Sequence, residues 1–261
     1  MSNEWDAEAY DRLSDPQYHW GKKVLDRIDL RGDETAIDAG CGTGRLTSVL
    51  LERLPRGRVI AIDGSQNMLN EAASRLVPRY GARVELVCAD LLTLTLDRVA
   101  DVIVSTATFH WLRDHETLFR NLYGALVGGG WLVAQCGGAG NLTHLLARAN
   151  ELTKSPSFAP YFRGWDEPWE FADAETTLRR LEAAGFTDVD TNLEDEPTAF
   201  TDRSTFELFV ITVILRLHLE RLPSDDLRRS FVTPLVDLAE RDDPQFVLDY
   251  RRLNLRARRP S

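Results

Sequence analysis

Cysteine is scarce in this chain of 261 residues: Cys41, Cys88 and Cys136 are the whole complement. Their odd number and unpaired spacing fit neither a zinc site nor a disulfide framework, so no metal centre is expected. Each falls at or just past a predicted strand end and reads as a reduced packing thiol. A basic surplus is also missing. Lys and Arg number 31 against 41 Asp and Glu, a formal charge of -10, whereas phosphate-backbone binding needs the opposite balance. Nucleic acid is therefore not an expected partner. The one basic cluster, Arg251, Arg252, Arg256, Arg258 and Arg259, alternates with Leu253, Leu255 and Ala257. It reads as the solvated face of a final strand, with a binding patch as the other reading. Long apolar runs are absent: Phe209 to Leu215, with Thr212 inside it, falls far below the ~20 residues that span a bilayer. Met1 to Tyr10 is polar and acidic, unlike a signal peptide. A cytoplasmic protein with no membrane span is expected.

What the chain does have is a strand-and-helix rhythm. Apolar runs recur near residues 35–39, 58–62, 83–88, 101–105 and 131–135, with helical patterns between them such as Gln66 to Leu76 and His115 to Leu126. Lys22 to Ile28 reads as a helix leading into the first strand, and Asp173 to Ala184 as a helix closed by Gly185. Thr187 to Leu193 and Leu248 to Arg258 supply a sixth and a seventh strand. This alternation predicts an α/β fold with a doubly wound, seven-stranded, mostly parallel sheet. The expected organisation is one domain with a core of residues 22–136, 173–200 and 246–261 and a helical lid from segments 1–21, 137–172 and 201–245. Long stretches outside a core are uncommon without a use. The first holds Trp5, Tyr10, Tyr18, His19 and Trp20; the second holds Phe158, Tyr161, Phe162, Trp165, Trp169 and Phe171. The third reads as helices from Ser204 through Leu222 and from Asp225 to Glu240. Each aromatic faces either a substrate or the core of a small cap; Tyr18, Trp20, Trp111 and Trp165 are the expected pocket residues.

The most informative stretch is Ala36-Ile37-Asp38-Ala39-Gly40-Cys41-Gly42-Thr43-Gly44. Thr35 to Ala39 reads as a buried strand, and Arg45 onward as a helix with Leu46, Val49, Leu50 and Leu54 on its apolar stripe. The three glycines form the turn between them, where positive φ lets a ligand lie against the main chain at a helix N-terminus. The spacing is G-x-G-x-G, not the G-x-G-x-x-G of a dinucleotide loop, and Asp38 stands two residues before the first glycine. That carboxylate would repel a pyrophosphate and hold an ammonium. Asp63 follows Val59-Ile60-Ala61-Ile62, where it can accept two ribose hydroxyls. Asp90 lies just past Val84-Glu85-Leu86-Val87-Cys88, where it can take an adenine amino group. Three acids at the carboxyl ends of three strands mark one crevice. An ammonium, a ribose and an adenine together describe S-adenosylmethionine.

On these residues the chain resembles the class I S-adenosylmethionine-dependent methyltransferases, within them the trans-aconitate methyltransferase-like group that includes juvenile hormone acid methyltransferases. Further matching pieces are Trp5-Asp6 with Tyr10, Ile62-Asp63-Gly64-Ser65-Gln66-Asn67-Met68-Leu69, Ala89-Asp90, Phe109-His110-Trp111-Leu112, Gly129-Gly130-Trp131-Leu132-Val133-Ala134-Gln135 and Leu181-Glu182-Ala183-Ala184-Gly185-Phe186. The glycine loop and the two later acids carry the cofactor; the other pieces suggest the subgroup. The cofactor-binding residues expected are Asp38, Gly40, Cys41, Gly42, Gly44, Asp63, Gly64, Met68, Asp90 and Leu91.

Methyl transfer from a sulfonium is an in-line displacement, so the protein mainly places a nucleophile and excludes water. His110 should sit beside the methionine end of the cofactor, where it either handles a substrate oxygen, as orienter or general base, or ties down a loop. In trans-aconitate methyltransferases this position can be glutamine. Arg216 lies in an apolar helix, and its Leu215-Arg216 pair resembles a Leu-Arg-Pro of that group, with Leu217 in place of the proline. It either grips a substrate carboxylate or pairs with Glu220 one helical turn on. The expected function is O-methylation of a carboxylate on a small apolar or aromatic acid. The alternatives are methylation of a hydroxyl or amine with His110 as base, and a fold that binds the cofactor without transferring methyl.

Overall fold

The computed structural model describes residue 7 and residues 15–261; Trp5 and Tyr10 lie outside the described residues. In chain order the elements are α1 (Asp15–Leu25), β1 (Thr35–Ala39), α2 (Arg45–Arg53), β2 (Arg58–Asp63), α3 (Gln66–Tyr80), β3 (Val84–Cys88), β4 (Ala100–Thr106), α4 (His115–Ala125), β5 (Leu126–Gly137), α5 (Thr143–Lys154), α6 (Ala174–Ala183), β6 (Thr187–Asp195), β7 (Thr198–Ala199), α7 (Arg203–Phe209), a π-helical turn (Val210–Ile214), α8 (Arg216–Glu220), α9 (Asp225–Arg241), β8 (Val247–Leu248) and β9 (Arg251–Arg258). They form two compact units: Met1–Ala139 with Trp169–Glu194 and Arg252–Ser261, and Gly140–Pro168 with Asp195–Arg251.

The first unit is built on a seven-stranded sheet in the order β3-β2-β1-β4-β5-β9-β6. Strands β1 to β5 are parallel, and β9 returns antiparallel to β5. Side chains alternate across a strand, and here both faces are apolar. Ile37, Ala39, Ile60 and Ile62 pack with Leu118, Phe119 and Leu122 of α4 and Leu181 of α6. Ala36, Val59 and Ala61 pack with Val24 and Leu25 of α1, Leu50 and Leu51 of α2, and Leu69, Ala72 and Leu76 of α3. A sheet covered on both faces is the doubly wound arrangement that the sequence predicts.

Three expectations need correction. The helix before β1 runs over Asp15–Leu25 rather than Lys22 to Ile28. Pro16 falls in its first turn, where a missing N–H costs nothing, and Gly21 gives it close contact with α2: a Cβ there would come 2.8 Å from Leu46. The run expected as one strand from Leu248 is split. Val247 and Leu248 pair with Ala199 and Thr198 in a separate ribbon, and the sheet strand begins at Arg251. Cys88 is exposed, while Cys41 and Cys136 are buried packing thiols as expected.

The second unit is mainly helical around an aromatic core. Phe158 and Phe162 pack on Phe231 of α9, with ring centroids 5.1 and 5.7 Å away, and Trp165 lies 4.7 Å from His218. Arg148 makes a two-pronged pair with Asp242, at 2.7 and 2.6 Å, tying α5 to the end of α9. Among the described residues no helix is long and apolar enough to cross a membrane.

Candidate active site

The parallel register brings three strand ends together, with Ala39 opposite Ile62 and Asp63 opposite Cys88. The glycine turn crosses the end of β2: Gly40 and Cys41 both donate their N–H to the Ile62 carbonyl, at 2.8 and 2.9 Å. All three glycines have positive φ, but for different neighbours. A Cβ at Gly40 would meet Thr108 Oγ1 at 2.1 Å, and one at Gly44 would meet Leu76 at 2.8 Å. At Gly42 a Cβ would meet nothing within 4 Å. Two glycines therefore permit packing of the protein on itself, and the middle one presents bare backbone to open space.

Asp63 organises that backbone. Its Oδ2 accepts the N–H of Gly42 and its Oδ1 that of Ser65, both at 2.9 Å. Ser65 caps α3 by accepting from Met68 N–H at 3.3 Å, which holds Met68 buried behind Asp63, while Gly64 stays exposed. Asp90 is exposed and accepts from Leu92 N–H at 2.9 Å, beside buried Leu91. Asp38 is buried on β1 and accepts from Thr47 Oγ1 of α2 at 2.6 Å. Burial pushes its carboxyl up to about 6; Thr47 opposes the shift and the charge of Asp63 adds to it. Cys41, inside the turn, is held well above the usual thiol value by burial and by Asp38 and Asp63; it packs and does not react. Open space over Gly42, with carboxylates at the three strand ends, fits the ammonium, ribose and adenine of S-adenosylmethionine.

A second set of groups surrounds His110, in the short turn Phe109–Trp111 after β4. Gly137 at the end of β5 donates its N–H to His110 Nδ1 at 3.3 Å. A backbone N–H can only donate, so Nδ1 is the acceptor and the ring proton sits on Nε2. Burial, then the charges of Arg252 and His115, hold the imidazole well below its ordinary pKa, which keeps it neutral. The turn is pinned from behind: Arg180 of α6 bonds Glu170 at 2.9 Å and His115 Nδ1 at 3.3 Å, and His115 Nε2 reaches the Phe109 carbonyl at 3.0 Å. Glu170 N–H donates to the His110 carbonyl at 2.9 Å. This clamp sets a ledge of rings next to His110: Phe171 stacks on it at 5.8 Å, Trp169 on Phe171 at 5.7 Å, and Trp111 lies 5.7 Å from Trp169. Trp111, Trp169 and Phe171 are half-buried.

Tyr18 is half-buried, with the Arg45 guanidinium 4.5 Å above its ring. Trp20 is 3% exposed, and Arg252 covers it at 4.4 Å. Trp165 and Arg216 belong to the second unit, where Arg216 Nη1 bonds Glu220 at 2.5 Å. Arg252 itself corrects the reading of a solvated strand face. It is 2% exposed, next to buried Asn254 and against the Trp20 ring, while Arg251 and Arg256 are exposed as expected. Alternation of Leu253, Leu255 and Ala257 signals one buried face and says nothing of whether the other is covered.

Comparison with known proteins agrees with this geometry. Residues 37–134 match the family model described as a methyltransferase domain. A trans-aconitate 2-methyltransferase of Methylobacterium radiotolerans is 37% identical over 149 residues, 56% of this chain and 55% of that protein, so the match spans about half the length of that relative. One from Variovorax paradoxus is 32% identical over 240 residues, 88% of this chain and 86% of that protein. A solved phosphoethanolamine N-methyltransferase 2 of Haemonchus contortus, in complex with S-adenosylhomocysteine, superposes with a TM-score of 0.63 at 19% identity, covering 98% of this chain and 57% of that one, and shares the fold. The strand order, the glycine turn with its three carboxylates and the near full-length match together show that this chain belongs to the class I S-adenosylmethionine-dependent methyltransferases, in the group of the trans-aconitate 2-methyltransferases.

Proposed function

We propose that the chain O-methylates a carboxylate on a small acid with an apolar or aromatic body. The observation that carries this reading is the Gly137 N–H bonded to His110 Nδ1, which makes the outer ring nitrogen a hydrogen-bond donor and not a base. A carboxylate, with an unperturbed pKa near ~4, is already a nucleophile at neutral pH, whereas a phenol or an ammonium must first lose a proton. The ledge of Trp111, Trp169 and Phe171 supports a flat apolar body. The relatives named for trans-aconitate, itself an acid, support the acceptor class.

S-adenosylmethionine, when bound, supplies a methyl group made electrophilic by its sulfonium. Asp38 would hold the ammonium, Asp63 the ribose hydroxyls and Asp90 the adenine amino group, while His110 Nε2–H would orient the acceptor carboxylate. The carboxylate oxygen would take the methyl group as its new O–C bond replaced the C–S bond, whose electron pair would stay on sulfur. No proton moves, and the acceptor loses its negative charge. The test is mass spectrometry of reactions holding the cofactor and a panel of acids, phenols and amines. The expected result is one added methylene mass on acids; methylation confined to phenols or amines would overturn the reading.

A further inference from the structure

The charge of Arg252 is placed with care. In the antiparallel register of β5 and β9 it stands opposite Gly137, the residue whose N–H fixes His110. Directly paired residues of neighbouring strands project to the same face, so Arg252, Asn254 and Arg256 share a face with Gln135 and Val133. Gln135 gives its amide nitrogen to Asn254 Oδ1 at 2.7 Å, which turns its carbonyl oxygen toward Arg252 Nε at 3.5 Å. Asn254 is held in turn by Asn192 at 3.0 Å and Glu194 at 3.1 Å. The guanidinium carbon also lies 4.4 Å from the centre of the Trp20 ring. Its pairing with Gly137 places it at the carboxyl end of β5, and its charge is felt by both His110 and Cys136. Burying a guanidinium is costly, and here a chain of oriented amides and an aromatic floor fixes one near His110.

We infer that Arg252 is the carboxylate anchor of the acceptor site, gripping the acid in its fork while Nε2–H of His110 takes a second lone pair. This rests on the carboxylate reading above and names the cation that reading needs. A rigid guanidinium fork suits a carboxylate in two-point contact. Methylation removes the negative charge, so the ester is bound less tightly than the acid, and the same contact that loads the substrate lets the product go.

The experiment uses the full chain and the best-methylated acid of a panel running from acetate through octanoate to cinnamate, with the amide of that acid as a neutral control. Arg252→Gln should raise KM for the acid by about ten- to a hundredfold, the value of a charged hydrogen-bonded contact. The calorimetric Kd for S-adenosylmethionine should move less than about twofold, and binding of the amide should not change. Arg252→Lys keeps the charge and loses the fork, so KM should rise at least about threefold with the melting temperature retained. If Arg252→Gln does not fold, the lysine variant decides. An unchanged KM in the folded variants, or equal losses for acid, amide and cofactor, would overturn the assignment. If no acid in the panel is methylated, the carboxylate reading fails. Arg252 is then judged separately, by whether calorimetry of the wild type with S-adenosylhomocysteine still detects binding of cinnamate over its amide.

Discussion

Thr47 and Asp38 meet inside the first unit, hydroxyl to carboxylate, at 2.6 Å. Burial raises this carboxyl to about 6, above the ~4 of an unfolded aspartate. Protonated Asp38 therefore favours the folded state: its stability contribution is full below about pH 4, is lost as pH rises to about 6 and is constant beyond. The proposed grip on the cofactor's ammonium needs the carboxylate and runs the other way. Affinity for S-adenosylmethionine should rise about tenfold from pH 5 to 7 as the ionised fraction climbs. Calorimetry at the two values checks this, with Asp38→Asn flattening the profile and Thr47→Val moving its midpoint upward. A flat profile in the wild type would remove Asp38 from the ammonium.

Asp63 has two duties, and its replacement should expose both. Asp63→Ala deletes the acceptors of the Gly42 and Ser65 N–H groups along with those for the ribose. Cofactor affinity should fall by about 1.5 to 3 kcal/mol. Asp63→Asn should lose nearly as much, because an amide turns one donor toward a backbone N–H. Retained affinity in the asparagine variant would contradict the double-acceptor role.

The glycines should separate fold from function. Gly40→Ala puts a Cβ 2.1 Å from Thr108 Oγ1 at φ +85 and should cost about 3 kcal/mol or more of stability. Gly42→Ala meets open space and should cost about 1 to 2 kcal/mol through its positive φ, while cofactor affinity falls by more than stability does. Chemical denaturation and calorimetry on both variants distinguish the two, and similar profiles would refute the contrast.

His110→Gln should be mild. Glutamine can still accept from Gly137 and donate outward, so kcat with the best acid should fall less than about tenfold, with no new pH dependence between about 6 and 8. A several-hundredfold loss, with a rate climbing with pH, would instead mark His110 as a base.

Much of the first unit was legible because parallel strands buried on both faces announce themselves as apolar runs: β1 to β4 fall within one or two residues of their expected bounds. The glycine turn was legible for a related reason, since few other sequences can turn from a strand into a helix so tightly. What escaped was set by distant partners. Gly137 decides which nitrogen of His110 carries the proton, and Glu170, Arg180 and His115 hold the turn that presents it, none of which leaves a local pattern. Arg252 escaped because an alternating strand does not show what covers its second face: Trp20 lies against Arg252, while Arg256 on the same face stays exposed. Pro16 and Gly21 hid the first half of α1 because both usually break helices, and only contact with Leu46 explains the glycine.

The chain passes between its two units at residues 139–140, 168–169, 194–195 and 251–252, beside β5, before α6, at the end of β6 and at the start of β9. The residues proposed to hold the cofactor, Asp38 through Leu91, are strung together before the first of these crossings. The second unit thus behaves as a pair of cassettes spliced into finished architecture. A lineage can lengthen, shorten or replace either cassette and inherit the cofactor half untouched, so divergence among relatives of this chain should concentrate in residues 140–168 and 195–251.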